Sequence, residues 1–211
     1  MMNRDFEDYK LYVFDLDGTL YDQPNLRKMM AARLIRHYVC HPFSVKDMFI
    51  IMRFRKVKDT WTKNASEEDI IKKVAGDMNI DCDRVERTVR KWIYDDPLEV
   101  LKKTRDDALI DKIAKLRERG AAVVVLSDYP TEDKLKALCV NVDRSYGPDD
   151  PRIDELKPSP KGLKVIMEDY NAEPRDVLMI GDRMEKDGES ARAAGVDYLI
   201  LSRHVAERNL T

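Results

Sequence analysis

Leu11-Tyr12-Val13-Phe14-Asp15-Leu16-Asp17-Gly18-Thr19 is the stretch that decides the fold. Its first four residues are apolar and read as a buried strand. Two carboxylates then leave the strand end, two residues apart. Strand periodicity puts residues i and i+2 on the same side. Asp15 and Asp17 are therefore expected to face one pocket, with Leu16 packed the other way. Gly18 lets the chain turn sharply just beyond them.

Outward from this strand, residues 21 to about 105 read as wholly helical. One helix is predicted from Pro24 towards Tyr38 and another from Ser44 to Val57. Ser66, with Glu67-Glu68-Asp69 behind it, resembles a helix cap, and Asp81 can cap a further helix carrying Val85, Val89 and Trp92. From about residue 106 the pattern alternates. A helix over Asp106–Arg119 stops at Gly120, and Val123–Leu126 is a fully apolar strand. Ser159-Pro160 supplies a cap and a first-turn proline. Val177–Ile180 is a strand, Glu185–Ala194 a helix ending at Gly195, and Tyr198–Leu201 a last strand. The predicted fold class is α/β, a doubly wound parallel sheet with a second, smaller all-helical domain. The core is expected over 1–20 and 106–211, and the helical domain, inserted after the first strand as a lid, over 21–105.

Composition sets the limits. The chain has 211 residues, 37% of them charged and 43% hydrophobic, with a net charge of −2. That length suits one large domain or a core with a smaller lobe. The longest apolar run, Ala121–Leu126, is far too short to span a bilayer. No apolar signal segment follows Met1-Met2-Asn3-Arg4-Asp5. Cys40, Cys82 and Cys139 form no CxxC pair, so reduced thiols in the cytoplasm are expected, without a disulfide framework or zinc site.

Four polar signals fall beside predicted strand ends or in nearby loops, where open α/β sheets bind ligands. They are Asp15-x-Asp17-Gly18-Thr19, Ser127 directly after a strand, Lys157 in Leu156-Lys157-Pro158, and Gly181-Asp182 with Asp187 five residues on. Singly, each has an ordinary explanation: a turn, a loop serine, a solvated lysine, a first-turn carboxylate. Together and in this order they define one site. An acidic pair at a strand end suits a magnesium ion and a phosphate.

In these residues the sequence resembles the haloacid dehalogenase superfamily, specifically its magnesium-dependent phosphatases. The resemblance covers 10–20 and about 120–200, and the position of the middle stretch resembles the helical cap many members insert. It implies a Rossmann-like core and hydrolysis of a small phosphorylated metabolite through an aspartyl-phosphate. Asp15 would be the nucleophile, and Asp17 the general acid and then base. Mg2+ would be held by the Asp15 carboxylate, the Asp17 backbone carbonyl, Asp182, and Asp187 directly or through water. Lys157 would hold both phosphate and Asp15, and Ser127 and Thr19 would bind the phosphate. For its acid step Asp17 needs a proton near neutral pH, and burial under a lid beside other carboxylates is expected to raise its pKa. Asp128 stands where many relatives carry Asn, and is expected to turn away or bond the backbone.

Residues 26–63 hold ten Lys and Arg against Asp47 and Asp59. This charge either forms a solvated surface or grips an anionic substrate. Tyr21 or Trp61 can stack on a base or pack in a core, and His37 and His41 can reach the pocket. A phosphotransferase or phosphomutase would use the same Asp15 and Asp17. A binding protein, using magnesium, phosphate and the basic segment on a partner or nucleic acid, needs no proton donor, so Asp17 argues against it. Neither a membrane nor, on this reading, nucleic acid is the expected partner.

Overall fold

The computed structural model describes residues 5–41, 46–60, 66–202 and 205. It forms two compact units, Asn25–Val100 and Met1–Pro24 with Leu101–Thr211.

The first unit is helical. It comprises α1 (Gln23–Cys40), α2 (Lys46–Thr60), α3 (Glu67–Met78) and α4 (Cys82–Val89), continuing through a π turn at Arg90–Asp95 into α5 (Asp96–Leu101). Pro24 falls in the first turn of α1, where its missing N–H breaks no helix bond. Ser66 caps α3 in a reciprocal capping box with Asp69, and Asp81 caps α4. The helices bury Ile50, Phe54, Val57, Ile70, Val74, Val85 and Val89 together. Part of the basic run is neutralised within the unit: Arg33 pairs with Glu99 at 2.8 Å and Arg53 with Asp77 at 2.5 Å. His37 stacks on His41 (4.6 Å between rings) and meets Trp92 edge-on (5.1 Å). Ser44, Trp61 and Lys63 lie outside the described residues.

The second unit carries β1 (Leu11–Phe14), β2 (Ala122–Leu126), β3 (Arg144–Tyr146), β4 (Val177–Gly181) and β5 (Asp197–Ile200). They form one parallel sheet in the order β3-β2-β1-β4-β5. Helices α6 (Asp107–Glu118), α7 (Glu132–Leu138), α8 (Lys161–Asp169) and α9 (Glu189–Ala194) connect them, with a π turn at Met184–Gly188 before α9. A parallel sheet covered on both faces needs apolar residues at successive positions. Leu11, Val13, Val124, Leu126, Val177 and Met179 pack on one face with Leu163 and Ile166. Tyr12, Phe14, Val123, Val125, Leu178 and Ile180 alternate with them and are buried as deeply. Register sets Phe14 beside Val125 and Ile180, so the residues that follow β1, β2 and β4 emerge along one edge.

The chain leaves and re-enters this unit side by side. The Asp22 N–H donates to the Thr104 carbonyl at 2.7 Å, and that of Asp106 to Leu20 at 3.0 Å. Three details differ from the sequence reading. Helix α7 and strand β3 are additional elements. Helix α8 begins at Lys161, with Pro160 in the cap position and no side-chain cap bond of its own. Ser159 Oγ instead accepts from the Lys161 N–H at 3.3 Å, because a serine hydroxyl reaches two residues ahead in a turn as readily as it caps. Among the described residues no helix is long and apolar enough to cross a membrane.

Candidate active site

The site is built at the carboxyl ends of β1, β2 and β4. Asp15 follows β1 and donates its backbone N–H to the Ile180 carbonyl (2.8 Å), which extends the β1–β4 pairing by one residue and fixes its place. Its side chain is buried. Thr19 Oγ1 donates to Oδ2 at 2.8 Å, and Lys157 Nζ donates to Oδ1 at 2.5 Å. The same ammonium donates to Asp187 Oδ1 (2.7 Å) and to the Leu126 carbonyl at the end of β2 (3.3 Å). Lys157 thus ties three segments that are far apart in sequence.

Asp15, Asp182 and Asp187 are all buried, and one carboxylate oxygen from each lies within 4.8 Å of the others. Two glycines allow this approach. Gly18 has φ +98°, and a Cβ there would sit 2.6 Å from Asp182 Oδ2. A Cβ on Gly181 would overlap the Asp187 carboxylate. The Arg183 N–H donates to Asp187 Oδ2 at 3.0 Å.

Electrostatics follow from burial. Burial pushes the Asp15 carboxyl up to about 8; Lys157 opposes the rise and Asp187 adds to it. Burial lowers the Lys157 pKa, but Asp15, Asp187 and Asp128 outweigh it and hold it well above the ordinary lysine value. Asp15 and Asp187 share one ammonium, and Asp182 stands in the same cluster. An all-oxygen donor set with excess negative charge is the chemistry that a magnesium ion fits.

Asp17 faces the same edge with a different environment. Its Oδ1 accepts from Lys134 Nζ at 2.5 Å and from Tyr21 Oη at 2.6 Å, and Oδ2 lies 3.4 Å from Ser127 Oγ. The expected upward pKa shift is reversed. Burial does raise it, but Lys134's charge and hydrogen bond and the Tyr21 hydroxyl outweigh burial, so the net shift is downward. Tyr21 is itself almost fully buried with its hydroxyl on Asp17, which makes it part of the core and not a free stacking surface. Neither contact was read from the sequence. The Lys134 pair spans 117 positions and Lys134 lies on α7, the unanticipated helix.

Ser127 directly follows β2 and is buried; its N–H donates to the Tyr146 carbonyl at 3.0 Å, and its Oγ accepts from the Tyr129 N–H at 3.1 Å. Asp128 bonds the backbone, as expected of it. Its Oδ1 accepts from the Lys157 N–H (3.0 Å) and Oδ2 from Lys186 Nζ (3.0 Å). A carboxylate where an amide would also serve is balanced here by a lysine. The structure therefore brings Asp15, Asp17, Thr19, Ser127, Lys157, Asp182 and Asp187 to one sheet edge.

A doubly wound α/β core with a lysine-bridged acidic centre at its strand ends defines a class of enzyme. The family model of haloacid dehalogenase-like hydrolases matches residues 9–195, and the chain belongs to that family. The fold is similar to that of YfnB from Bacillus subtilis, named as a HAD hydrolase and bound to magnesium. That match has 15% identity and TM-score 0.64, and covers 92% of this chain and 88% of that one. It is also similar to a mutant of CbbY from Rhodobacter sphaeroides in complex with xylulose-(1,5)-bisphosphate (14% identity, 95% and 90% coverage, TM-score 0.59). A protein from Thermotoga maritima named as a β-phosphoglucomutase matches at 15% identity, 91% and 85% coverage and TM-score 0.60. No curated sequence matches the chain significantly.

Proposed function

We propose that this hydrolase is a magnesium-dependent phosphatase that cleaves a small-molecule phosphate monoester through an aspartyl-phosphate. The observation that carries the reading is the single ammonium of Lys157 between Asp15 and Asp187, with Asp182 inside the same 4.8 Å cluster. Phosphate monoesters are among the slowest compounds to hydrolyse unaided, with enzymic accelerations reaching roughly 10²¹-fold. A carboxylate nucleophile divides that barrier into two steps.

In the first step Asp15 attacks phosphorus in line, and the bond from phosphorus to the ester oxygen breaks. Asp17 gives its proton to the departing oxygen. In the second step a water attacks the aspartyl-phosphate, Asp17 takes a proton from it, and inorganic phosphate leaves with Asp15 restored. The depressed Asp17 pKa suits the second step directly. In the first step an incoming phosphate dianion beside Asp17 favours its protonated form, against the pull of Lys134. Magnesium, when bound, supplies positive charge that keeps Asp15 ionised and offsets charge on the transferring group. Asp15, Asp182 and the Asp17 carbonyl would hold it. Asp187, whose two oxygens already accept from Lys157 and Arg183, would join through water. Ser127 would donate to a phosphate oxygen. Thr19 would act through Asp15, because its hydroxyl lies on Oδ2.

The substrate class is a soluble phosphorylated metabolite. The test is an aryl phosphate assay with and without magnesium. Asp15→Asn is expected to lower kcat by about 10⁴-fold or more, and chelation is expected to abolish turnover. Activity that survives either change defeats the mechanism. Release of inorganic phosphate, as opposed to its transfer to a second metabolite, separates hydrolysis from phosphotransfer.

A further inference from the structure

Asp17 is held more elaborately than an exposed acid needs to be. Two donors converge on one of its oxygens, Lys134 at 2.5 Å and Tyr21 at 2.6 Å, while the other oxygen is left towards Ser127 at 3.4 Å. Both side chains of the ion pair are 13% exposed. The ammonium also sits 5.0 Å from the centre of the Tyr129 ring, which limits its other positions. A buried ion pair is a poor device for stability, because desolvating each ion costs several kcal/mol and an apolar pair of similar volume serves as well. It is a good device for orientation. A carboxylate with one oxygen fixed by two donors from different segments cannot rotate about its Cβ–Cγ bond without breaking both. Ser127 Oγ accepts from the Tyr129 N–H, so its own hydrogen is available to Asp17 Oδ2 or to a phosphate oxygen.

We propose that Lys134 and Tyr21 are positioning residues, which lock Asp17 so that Oδ2, and not Oδ1, meets the ester oxygen. This rests on the proton-transfer role given to Asp17 above. Neither residue touches the reacting atoms. A misaligned acid matters in proportion to how badly the leaving oxygen needs a proton. An alkoxide leaving group needs it, and a nitrophenolate does not.

The experiment measures first-turnover release of the alcohol from an alkyl phosphate and of 4-nitrophenol from 4-nitrophenyl phosphate, both with magnesium. Lys134→Met is expected to slow the alkyl phosphate by roughly 10–100-fold and to leave the nitrophenyl burst within about threefold of wild type. Lys134→Arg is expected to recover most of the alkyl rate. Tyr21→Phe, which removes one oxygen atom and keeps the packing, is expected to show the same selectivity at smaller size, and it carries the test should Lys134→Met fail to fold. Equal losses on both substrates mean a merely structural role and overturn the proposal, as does no loss on either. Asp17→Asn is the control. If it abolishes the alkyl reaction while the Lys134 and Tyr21 variants are unaffected, only the positioning proposal fails. If it is itself fully active, the role assigned to Asp17 falls first.

Discussion

Gly18 shows how much of the site depends on one missing side chain. At φ +98° an L-residue is strained, and the space a Cβ would take is already held by the Asp182 carboxylate. Gly18→Ala should therefore act twice, through backbone strain of about 1–3 kcal/mol and by displacing Asp182 from Asp15 and Asp187. The expected result is a lower thermal midpoint, together with a smaller rise of that midpoint on adding magnesium. A ligand bound only to the folded state at a hundred times its Kd raises stability by about 2.7 kcal/mol. Asp182→Asn should lose that rise without the strain. If both variants keep the wild-type magnesium response, Asp182 takes no part in holding the ion. At this scale the sequence was informative where a motif is local. Asp15 and Asp17 stand two residues apart, and that spacing alone predicts a shared face. Tyr21 and Lys134 carried no such signal. Their meaning comes from a contact between the turn after β1 and α7, and nothing within a few residues of either announces it.

Among the elements, those with a complete apolar pattern and a cap were legible. Helix α3 has Ser66, an acidic first turn, and Ile70 and Val74 one turn apart; β2 and β4 are unbroken apolar runs. Helix α7 and strand β3 were not, for physical reasons. Helix α7 spans seven residues, too few for a period to repeat, and β3 spans three residues with an exposed arginine at its start. Strand β3 is held at its edge by side chains. The Tyr146 hydroxyl donates to Asp169 Oδ2 (2.8 Å), and Arg152 reaches Asp169 at 2.6 and 2.9 Å, with Arg144 at 3.0 Å. Hydrogen bonds from Arg152, then from Tyr146, hold the Asp169 carboxyl down at about 2, against 3.8 ordinarily. A carboxylate whose pKa is depressed on folding adds stability above its unfolded value, and that share is lost as pH falls through the folded one. Asp169→Asn should therefore melt below wild type at pH 7, and the gap should close as pH falls from about 4 to about 2. Melts of the two proteins across that range, followed by circular dichroism, check this. A constant gap would mean that ionisation of Asp169 contributes nothing.

At the scale of the molecule, the two units divide the work of folding as the sequence divides its periodicity. Near-continuous apolar strands make the α/β unit and its sheet edge. Helical spacing makes Asn25–Val100, whose described core gathers Ile50, Phe54, Val57, Ile70, Val74, Val85 and Val89. The motif residues all belong to the α/β unit, so the candidate site could be read from the sequence, whereas no short pattern in the helical unit names a ligand. A separate core also makes a separable prediction. Phe54 is fully buried at the centre of the helical cluster. Truncating a buried phenylalanine to alanine costs about 3–5 kcal/mol, a large share of what a unit of this size has to spare. Phe54→Ala should therefore raise amide exchange across α2, α3 and α4 and leave β1, β2 and β4 protected. On the proposed function, the rise in midpoint expected on adding magnesium, through Asp15, Asp182 and Asp187, should persist for the α/β transition. Hydrogen exchange followed by mass spectrometry resolves the segments. Loss of protection in β1 and β4 along with α2–α4 would show one cooperative core where two are expected.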